Sequence, residues 1–190
     1  MNNSMIGKET VLLRGEYNQD GQVCTRIKHG NMWRLEKVAP LKLIDESLKK
    51  FGSSLRGALD GSKFLLGNKN MRPIVFDPFS GIYLFPSKSP AKADCVWFNI
   101  LHIIDYKPIN RYQTKVFLNY GGSIILDMRE CNFKRKLNRT FKLRRLVSEN
   151  MKIPITFFID PTYSAYKGKT QSYILSRSAD TGSIKPDIKE

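Results

Sequence analysis

The sequence predicts an α+β fold, with a mainly antiparallel β-sheet, two principal helices and a loosely structured C-terminal tail. Short apolar runs separated by turn-forming residues recur between Thr10 and Asp127, which is typical of antiparallel strands. Two longer segments instead repeat apolar residues every three or four positions, as helices do. After Pro161 the sequence is rich in Ser, Thr, Lys and Gly, which indicates a tail with few core anchors.

The strands are predicted from apolar runs that end in turn-forming residues. Thr10–Leu13 and Val23–Ile27 flank the sequence NQDGQ, which predicts a hairpin. Met32–Val38 adds a third strand, and the sequence YGG at residues 120–122 predicts a second hairpin. The remaining strands are predicted at Pro73–Phe76, Ile82–Phe85, Cys95–Asp105, Val116–Asn119, Ser123–Asp127 and Ile153–Asp160.

The first predicted helix covers Pro40–Phe51. Leu41, Ile44 and Leu48 are spaced by three and four residues, so they share one stripe of a helix. Gly52 follows and is typical of a helix C-terminus.

The second predicted helix covers Cys131–Met151, where apolar residues follow a four-residue step without any Gly or Pro. Asn132 is its candidate N-terminal cap. Between the two helices, Phe51–Gly67 contains four glycines within a short span. We therefore predict that this segment is a loop with at most a helical turn.

Length and charge bound the class of protein. The chain has 190 residues, enough for one domain or for one domain with a tail. Its 32 Lys and Arg residues outnumber 17 Asp and Glu residues, giving a net charge of +15. This excess predicts nucleic acid, an anionic membrane surface or an acidic protein as the partner. The longest apolar run is far shorter than the ~20 residues that span a bilayer, so we expect a soluble cytoplasmic protein.

The residues that usually carry catalysis or bind metals are sparse. The three cysteines are far apart and form no CxxC, which argues against a disulfide framework or a zinc site. Of the two histidines, His102 lies within an apolar run, which predicts a packed and hydrogen-bonded imidazole. The sequence KGKT at residues 167–170 lacks the first glycine of a phosphate-binding loop. We predict no enzyme activity, no cofactor and no metal.

The segment NFKRKLNRTFKLRR, residues 132–145, contains seven cationic residues and no acid. At helical angles Arg135, Arg139 and Lys142 share one face, and Arg145 lies near Lys142. A helix face that only needs to be soluble normally mixes both signs, whereas phosphate binding requires cations. A solvated face and a polyanion site both remain open, and the absence of acids favours the polyanion site.

Three segments occur in fixed order along the chain, namely FGSSLRGALDG, RPIVFDPFSGIYLFP and CVWFNILHI. Together they resemble the competence transcription factor ComK family of Gram-positive bacteria. The resemblance covers roughly residues 11–151 and fades after Ile153, so we expect a C-terminal end that is truncated or replaced relative to the family. The residues that carry the match are Gly52, Ser53, Ser54, Gly57, Pro73, Pro78, Pro86, Cys95, Trp97 and His102.

The resemblance implies a cytoplasmic, nucleoid-associated transcription activator that binds A/T-rich double-stranded DNA through the minor groove. It also implies self-association to a dimer or tetramer, contact with RNA polymerase, degradation by an adaptor–protease system and control of DNA-uptake genes. Residues 1–153 would form the DNA-binding domain, and 154–190 a divergent tail. The predicted DNA contacts are Arg135, Arg139, Lys142 and Arg145, with Lys49, Lys50, Arg56, Lys63, Lys69 and Arg72 as a second group.

Two alternatives remain open at this stage. A basic RNA-binding or ribosome-associated protein would need exposed aromatic rings for base stacking, and Phe98 and Tyr112 are the candidates. A degenerate metal-dependent nuclease would need converging carboxylates, for which Asp77 and Asp127 are the candidates. Both aspartates occupy predicted turns, where Asp is common for backbone reasons.

Overall fold

The structure, a computed structural model, describes residues 6–154, which form two antiparallel sheets and three helices. The helices are α1 (Pro40–Lys49), α2 (Leu55–Leu66) and α3 (Glu130–Met151). The first sheet contains β1 (Thr10–Tyr17), β2 (Val23–His29), β3 (Met32–Glu36), β4 (Ile74–Asp77), β5 (Ile82–Pro86) and β6 (Val96–Asn99). The second contains β7 (Ile103–Pro108), β8 (Thr114–Leu118) and β9 (Ser123–Leu126). The predicted α+β class with mainly antiparallel sheet is confirmed.

The first sheet has the strand order β3-β2-β1-β6-β5-β4, and the second has the order β7-β8-β9. The predicted β1–β2 hairpin forms because the Asn18 side chain accepts hydrogen bonds from the backbone N–H groups of Asp20 and Gln22, at 3.0 and 2.8 Å. Gly21 has a φ of 72°, which glycine adopts without strain. The predicted β8–β9 hairpin forms as well, through Tyr120, Gly121 and Gly122 at positive φ.

The core consists of two clusters on the two faces of the first sheet. On one face, Leu13 and Trp97 pack with Ile44 and other residues of α1. On the opposite face, Phe133 of α3 is fully buried and its ring contacts those of Phe85 and Phe98, with centroids 5.9 and 5.8 Å apart. The inner face of the second sheet completes that cluster. The first sheet is thus covered on both sides, with α3 and the second sheet sharing one side.

The predicted continuous strand Cys95–Asp105 is wrong, because the chain changes sheets inside it. Asn99 donates a side-chain hydrogen bond to the Thr10 carbonyl at 2.9 Å and accepts one from the Leu101 N–H at 3.2 Å. These bonds start a short 3₁₀ turn that separates β6 from β7. His102, at the end of this turn, is buried and its Nε2 lies 2.5 Å from the Lys8 carbonyl oxygen, so the predicted packed imidazole is confirmed.

The predicted loop over Phe51–Gly67 is also wrong, because α2 forms there despite its glycines. The Ser54 hydroxyl caps the helix by accepting from the Gly57 N–H at 3.1 Å, and Gly67 ends it at a φ of 79°. Each interior glycine costs about 1 kcal/mol relative to Ala. Packing offsets that cost, because Leu59 joins one core cluster and Leu65 the other.

The long helix α3 matches the prediction apart from its cap. Arg129 occupies the N-cap position without a side-chain cap bond, and Asn132 instead lies inside the first turn. Glu130 places a negative charge at that end, where the helix dipole favours it. Residues 155–190 lie outside the described residues, and with them most of the strand predicted at Ile153–Asp160 and the tail. The domain boundary at residue 153 stays a prediction.

Candidate nucleic-acid interface

The outward face of α3 presents cations above a buried apolar stripe. Leu137, Leu143 and Val147 point into the core, whereas Arg135 and Lys142 are exposed. Helix geometry places these two cations on one side of α3, away from the core residues. This segment is therefore a packed helix that displays charge, and not a free basic arm.

A loop formed by residues 67–72 is bound to this face. The Arg139 guanidinium donates a hydrogen bond to the Asn70 carbonyl oxygen at 3.1 Å. The Lys136 ammonium lies 3.4 Å from the Met71 sulfur. Within the loop, Arg72 donates to the Lys69 carbonyl oxygen at 3.0 Å. Two residues of α3 therefore hold the loop in place and bring its lysine next to the helix.

Between this loop and α3 lies a cleft of about 390 Å³, here called the basic cleft. It has five cationic side chains in its lining and no carboxylate. Of these cations, Lys88 pairs with Asp94 at 2.6 Å, and that acid lies outside the lining. The lining residues are Lys69, Asn70, Met71, Ser87, Lys88, Met128, Asn132, Arg135, Lys136 and Arg139. A concave site of this composition attracts anions from solution.

The electrostatics of the basic cleft disfavour the charged form of Lys136. Burial is the main cause that lowers the pKa of Lys136, and the neighbouring Arg139 charge lowers it further. Cys95 acts in the opposite direction. A bound anion would relieve both costs, because it neutralises the like charges and stabilises the ammonium form.

The family model described as ComK protein matches residues 1–152. The chain belongs to the ComK family. It is also similar to the competence transcription factor of Bacillus subtilis (strain 168), with 29% identity over 125 residues. That alignment covers 66% of this chain and 65% of the relative, so the chain spans slightly under two thirds of the relative's length. No solved structure matches the chain.

The ComK match covers every strand and helix of residues 6–154, and hence the whole basic cleft. Three of the ten predicted DNA contacts, Lys69, Arg135 and Arg139, line this cleft. Arg72 braces the loop beside it. Sequence reasoning did not assign Lys88 or Lys136 to the site, because their place in the cleft depends on the docked loop.

The other six predicted contacts lie outside the lining of the basic cleft. Lys49 pairs with Asp45 at 2.6 Å, and Arg145 pairs with Glu149 at 3.6 Å. Exposed pairs of this kind hold their partners weakly, so both cations remain available to an anion. The remaining four are all exposed: Lys50 directly follows α1, Arg56 and Lys63 lie on α2, and Lys142 lies on α3.

A second surface, which we call the Tyr112 hollow, adjoins the basic cleft in this ComK family member. The two share Met128 and Asn132 in their linings. The Tyr112 ring is 62% exposed, and the Arg111 and Arg129 guanidinium carbons lie 5.8 and 5.6 Å from its centroid. An exposed aromatic ring beside two guanidinium groups suits both base stacking and phosphate contact.

The loop that carries Tyr112 is held by side-chain hydrogen bonds. The Tyr112 N–H donates to the Asn110 side chain at 2.8 Å, and the Asn110 amide donates to Gln113 at 3.0 Å. Gln113 in turn donates to Asp127 at 2.9 Å, which connects the loop to the end of β9. The backbone that carries the exposed ring is therefore held by hydrogen bonds within the protein.

The outer face of the second sheet also combines cations with an aromatic ring, which sequence reasoning missed. Lys107 and Lys115 place their ammonium groups 5.8 and 5.3 Å from the Phe117 ring centroid. Ile125, paired with Lys115 across β8 and β9, is 56% exposed. The alternation of residues 114–118 carried the signal, since Lys115 and Phe117 alternate with three buried residues.

The structure separates the candidate residues of the two alternatives. Phe98 is fully buried, so its prediction as a base-stacking ring is wrong, whereas Tyr112 is exposed. Asp77 accepts hydrogen bonds from the Phe79 and Ser80 N–H groups, which is a turn role. Over residues 6–154, no group of three or more His, Cys, Asp or Glu side chains is arranged to hold a metal ion. No helix in that range is long and apolar enough to span a bilayer.

Proposed function

We propose that this ComK family member is a DNA-binding transcriptional activator of competence and DNA-uptake genes, and not an enzyme. The observation that carries the proposal is the basic cleft, where five cations converge without a carboxylate in the lining. The name of the Bacillus subtilis relative, competence transcription factor, supports it. By the family resemblance we extend the proposal to a cytoplasmic, nucleoid-associated protein that self-associates, contacts RNA polymerase and is degraded through an adaptor.

Phosphate binding would use the cations of the basic cleft. Each phosphate that a cation neutralises releases condensed counterions, and this lowers the slope of log K against log salt by about 0.9. Contact by all five cleft cations would give a slope of roughly −4 to −5. Arg139 is held by its hydrogen bond to Asn70, and Lys136 is partly buried. Both side chains therefore suit contacts with DNA phosphates at fixed positions.

We propose that A/T-rich promoter boxes are selected through the minor groove. A/T-rich sequences have a narrow minor groove with enhanced negative potential, which attracts inserted Arg and Lys side chains. Arg135 is exposed at the cleft and is our candidate for insertion. The six predicted contacts outside the cleft would then meet the flanking DNA backbone.

A second candidate function, RNA binding, is favoured by one observation. Tyr112 is exposed and lies near two arginines, which suits stacking with an unpaired base. Duplex DNA keeps its bases stacked, so this ring would contribute little unless it wedges between base steps. The two functions therefore differ in the nucleic acid that the full chain prefers.

The deciding experiment measures the affinity of the full chain for three ligands across a salt series. The ligands are an A/T-rich duplex, a G/C-rich duplex of equal length and a structured RNA. Fluorescence anisotropy measures the binding of each ligand. We expect the tightest binding to the A/T-rich duplex, with a slope that becomes shallower by about 1 in Arg135→Ala. Lys42→Ala is the matched control, because Lys42 is exposed on α1 outside the predicted contacts. Equal affinity for both duplexes at every salt would refute sequence selection, and tighter binding of RNA would favour the second candidate.

A further inference from the structure

A groove of about 450 Å³ lies between α2 and the turn that connects β4 to β5, and we call it the α2 groove. Small residues form its helix side, among them Gly57, Ala58 and Gly61. A Cβ built on Gly61 would meet no atom within 4 Å, so the space beside this residue is open. Small-molecule sites in proteins have volumes of roughly 300–1,000 Å³, and the α2 groove lies within that range.

Three phenylalanines line the α2 groove. Phe51 and Phe79 are 52 and 67% exposed, although Phe is among the residues most often buried. Phe76 is buried, and its ring centroid lies 5.8 Å from that of Phe51 in an edge-to-face arrangement. The faces of aromatic rings carry negative charge density, so they attract cations as well as apolar groups.

Ser62 also lines the α2 groove, and its hydroxyl has an unused capacity for hydrogen bonding. The residue is fully buried, and within the described residues its hydroxyl has no hydrogen-bond partner. A buried hydroxyl in this state costs free energy, because it has lost its bonds to water without gaining others. A polar group of a bound ligand would supply the missing bond.

Asp77 is the only charged side chain among the described residues that line the α2 groove. Its Oδ1 accepts hydrogen bonds from the Phe79 and Ser80 N–H groups at 3.0 and 3.2 Å. Within residues 6–154 its Oδ2 has neither a hydrogen bond nor an ion pair. A carboxylate oxygen beside aromatic residues is therefore open to a cation, in a chain whose net charge is +15.

We propose that the α2 groove binds an arylalkylammonium ion that carries a second polar group. The ammonium group donates to Asp77 Oδ2 and lies against the Phe79 ring. The aromatic body of the ligand packs against Phe51 and the glycine side of α2, and its second polar group bonds to the Ser62 hydroxyl. An anion is excluded, because the one charge in the lining is negative.

The net charge of the chain works against this ligand, so the selection of a cation has to be local. At ~0.15 M salt the Debye length is about 8 Å, and exposed cations farther away are largely screened. Close to the groove, the Asp77 charge and the aromatic rings dominate. The linings of the α2 groove and the basic cleft share no residue, so the proposal does not depend on DNA binding.

The test titrates three probes into the isotope-labelled full chain without DNA, and heteronuclear NMR follows the amide signals of Gly57 and Gly61. Tyramine contains the ammonium, the ring and a hydroxyl, phenethylammonium lacks the hydroxyl, and phenylacetate replaces the ammonium by a carboxylate. We expect tyramine to shift both signals saturably, with a Kd of about 1 mM or tighter. Phenethylammonium should bind roughly fivefold more weakly, and phenylacetate should leave both signals unchanged.

Three variants assign the binding to the α2 groove. Asp77→Asn keeps the acceptor for the turn and removes the charge, so tyramine should bind at least about tenfold more weakly. Ser62→Ala should abolish the preference for tyramine over phenethylammonium, and it should raise the melting temperature of the free protein because the unpartnered hydroxyl is gone. Gly61→Leu should fill the groove and block both probes.

Asp60→Asn is the matched control, because Asp60 is exposed on α2 outside the lining of the groove. Circular dichroism melts establish that each variant is folded. Wild-type signals that do not respond to tyramine would overturn the proposal, as would equal shifts with tyramine and phenylacetate. Equal tyramine affinity of Asp77→Asn and Asp60→Asn would overturn it as well. A preference for tyramine that survives in Ser62→Ala would refute the bond to Ser62.

Discussion

Replacement of Arg139 by alanine tests the basic cleft most directly, because this residue has two roles. It contributes one charge to the lining, and it holds the loop of residues 67–72 through its hydrogen bond to Asn70. Loss of one phosphate contact makes the slope of log K against log salt less negative by about 0.9. Relative to 1 M salt, this reduces the affinity at ~0.1 M salt roughly eightfold. Loss of a hydrogen bond of about 1 kcal/mol that positions the loop adds roughly fivefold. We therefore expect Arg139→Ala to bind A/T-rich DNA roughly 10- to 40-fold more weakly.

Two further variants separate the effect of the Arg139 charge from the effect of its hydrogen bond to Asn70. Arg135→Ala removes a cleft charge without that hydrogen bond, so we expect only the loss of about eightfold. Arg139→Lys keeps the charge and loses the guanidinium geometry, so the salt slope should stay while the affinity falls. The assay is anisotropy at five or more salt concentrations, with Lys42→Ala as the control. If Arg139→Ala changes affinity no more than this control does, the cleft is not the DNA site.

Three further predictions concern Lys136, Tyr112 and the helix α2. Burial lowers the pKa of Lys136, and a phosphate would raise it again, so DNA binding at alkaline pH should take up protons and weaken as the pH rises. Calorimetry in buffers of different ionisation enthalpy measures this uptake, and Lys136→Gln should remove it while Lys142→Gln should not. Tyr112→Ala should weaken binding to single-stranded RNA by about 1–3 kcal/mol, and Tyr112→Phe should not, because the stacking ring remains. In α2, Ser54→Ala removes the cap and should cost about 1 kcal/mol, whereas Gly61→Ala should stabilise by about the same amount, since its added Cβ meets no atom within 4 Å. Each change shifts the melting temperature by roughly 2–4 °C, in opposite directions.

Each of these predictions has a result that contradicts it. Equal proton uptake by the wild type and Lys136→Gln would place the titrating group elsewhere. RNA affinity that is insensitive to Tyr112→Ala would exclude the ring from stacking. A melting temperature that falls in Gly61→Ala would mean that the exposed side of α2 is covered by another part of the chain.

The stability of the fold should also respond to Lys136. Its pKa is lowered in the folded state, so between that pKa and its ordinary value the unfolded chain binds more protons. The free energy of unfolding contributed by this residue therefore rises with pH through that window. Over the same pH range, the Lys136 contribution to the stability of the free protein therefore rises while the affinity for DNA falls.

The sequence predicts those elements whose signal is local. The helices α1 and α3 follow from the apolar spacing of residues such as Ile44 and Leu137, and the hairpins follow from Asn18 and Gly121. The helix α2 was missed because its glycines argue for a loop, while its actual support comes from Leu59 and Leu65 in two separate core clusters. Such support comes from residues distant in the sequence, and local composition does not report it.

The candidate site shows the same division between local and tertiary information. The charge of α3 was evident, and Arg135 and Arg139 were assigned to one face from helical angles alone. The cleft itself depends on a loop that begins more than 60 residues earlier and docks through Asn70 and Met71. Lys88 enters the site only because β5 ends beside this loop. No spacing rule in the sequence brings these three segments together.

The pairing of β1 with β6 has a consequence for synthesis of the protein. Leu13 of β1 pairs with Trp97 of β6, which follows 84 residues later in the chain. This edge of β1 therefore has no partner until β6 has been synthesised. At roughly 5–20 residues per second, the ribosome needs about 4–17 s to produce that partner. During this interval β1 can pair with β2, but its other edge and its apolar residues Val11 and Leu12 remain available to other nascent chains. Slower translation between β3 and β6 would lengthen this exposure, and overproduction would increase the number of chains that share it.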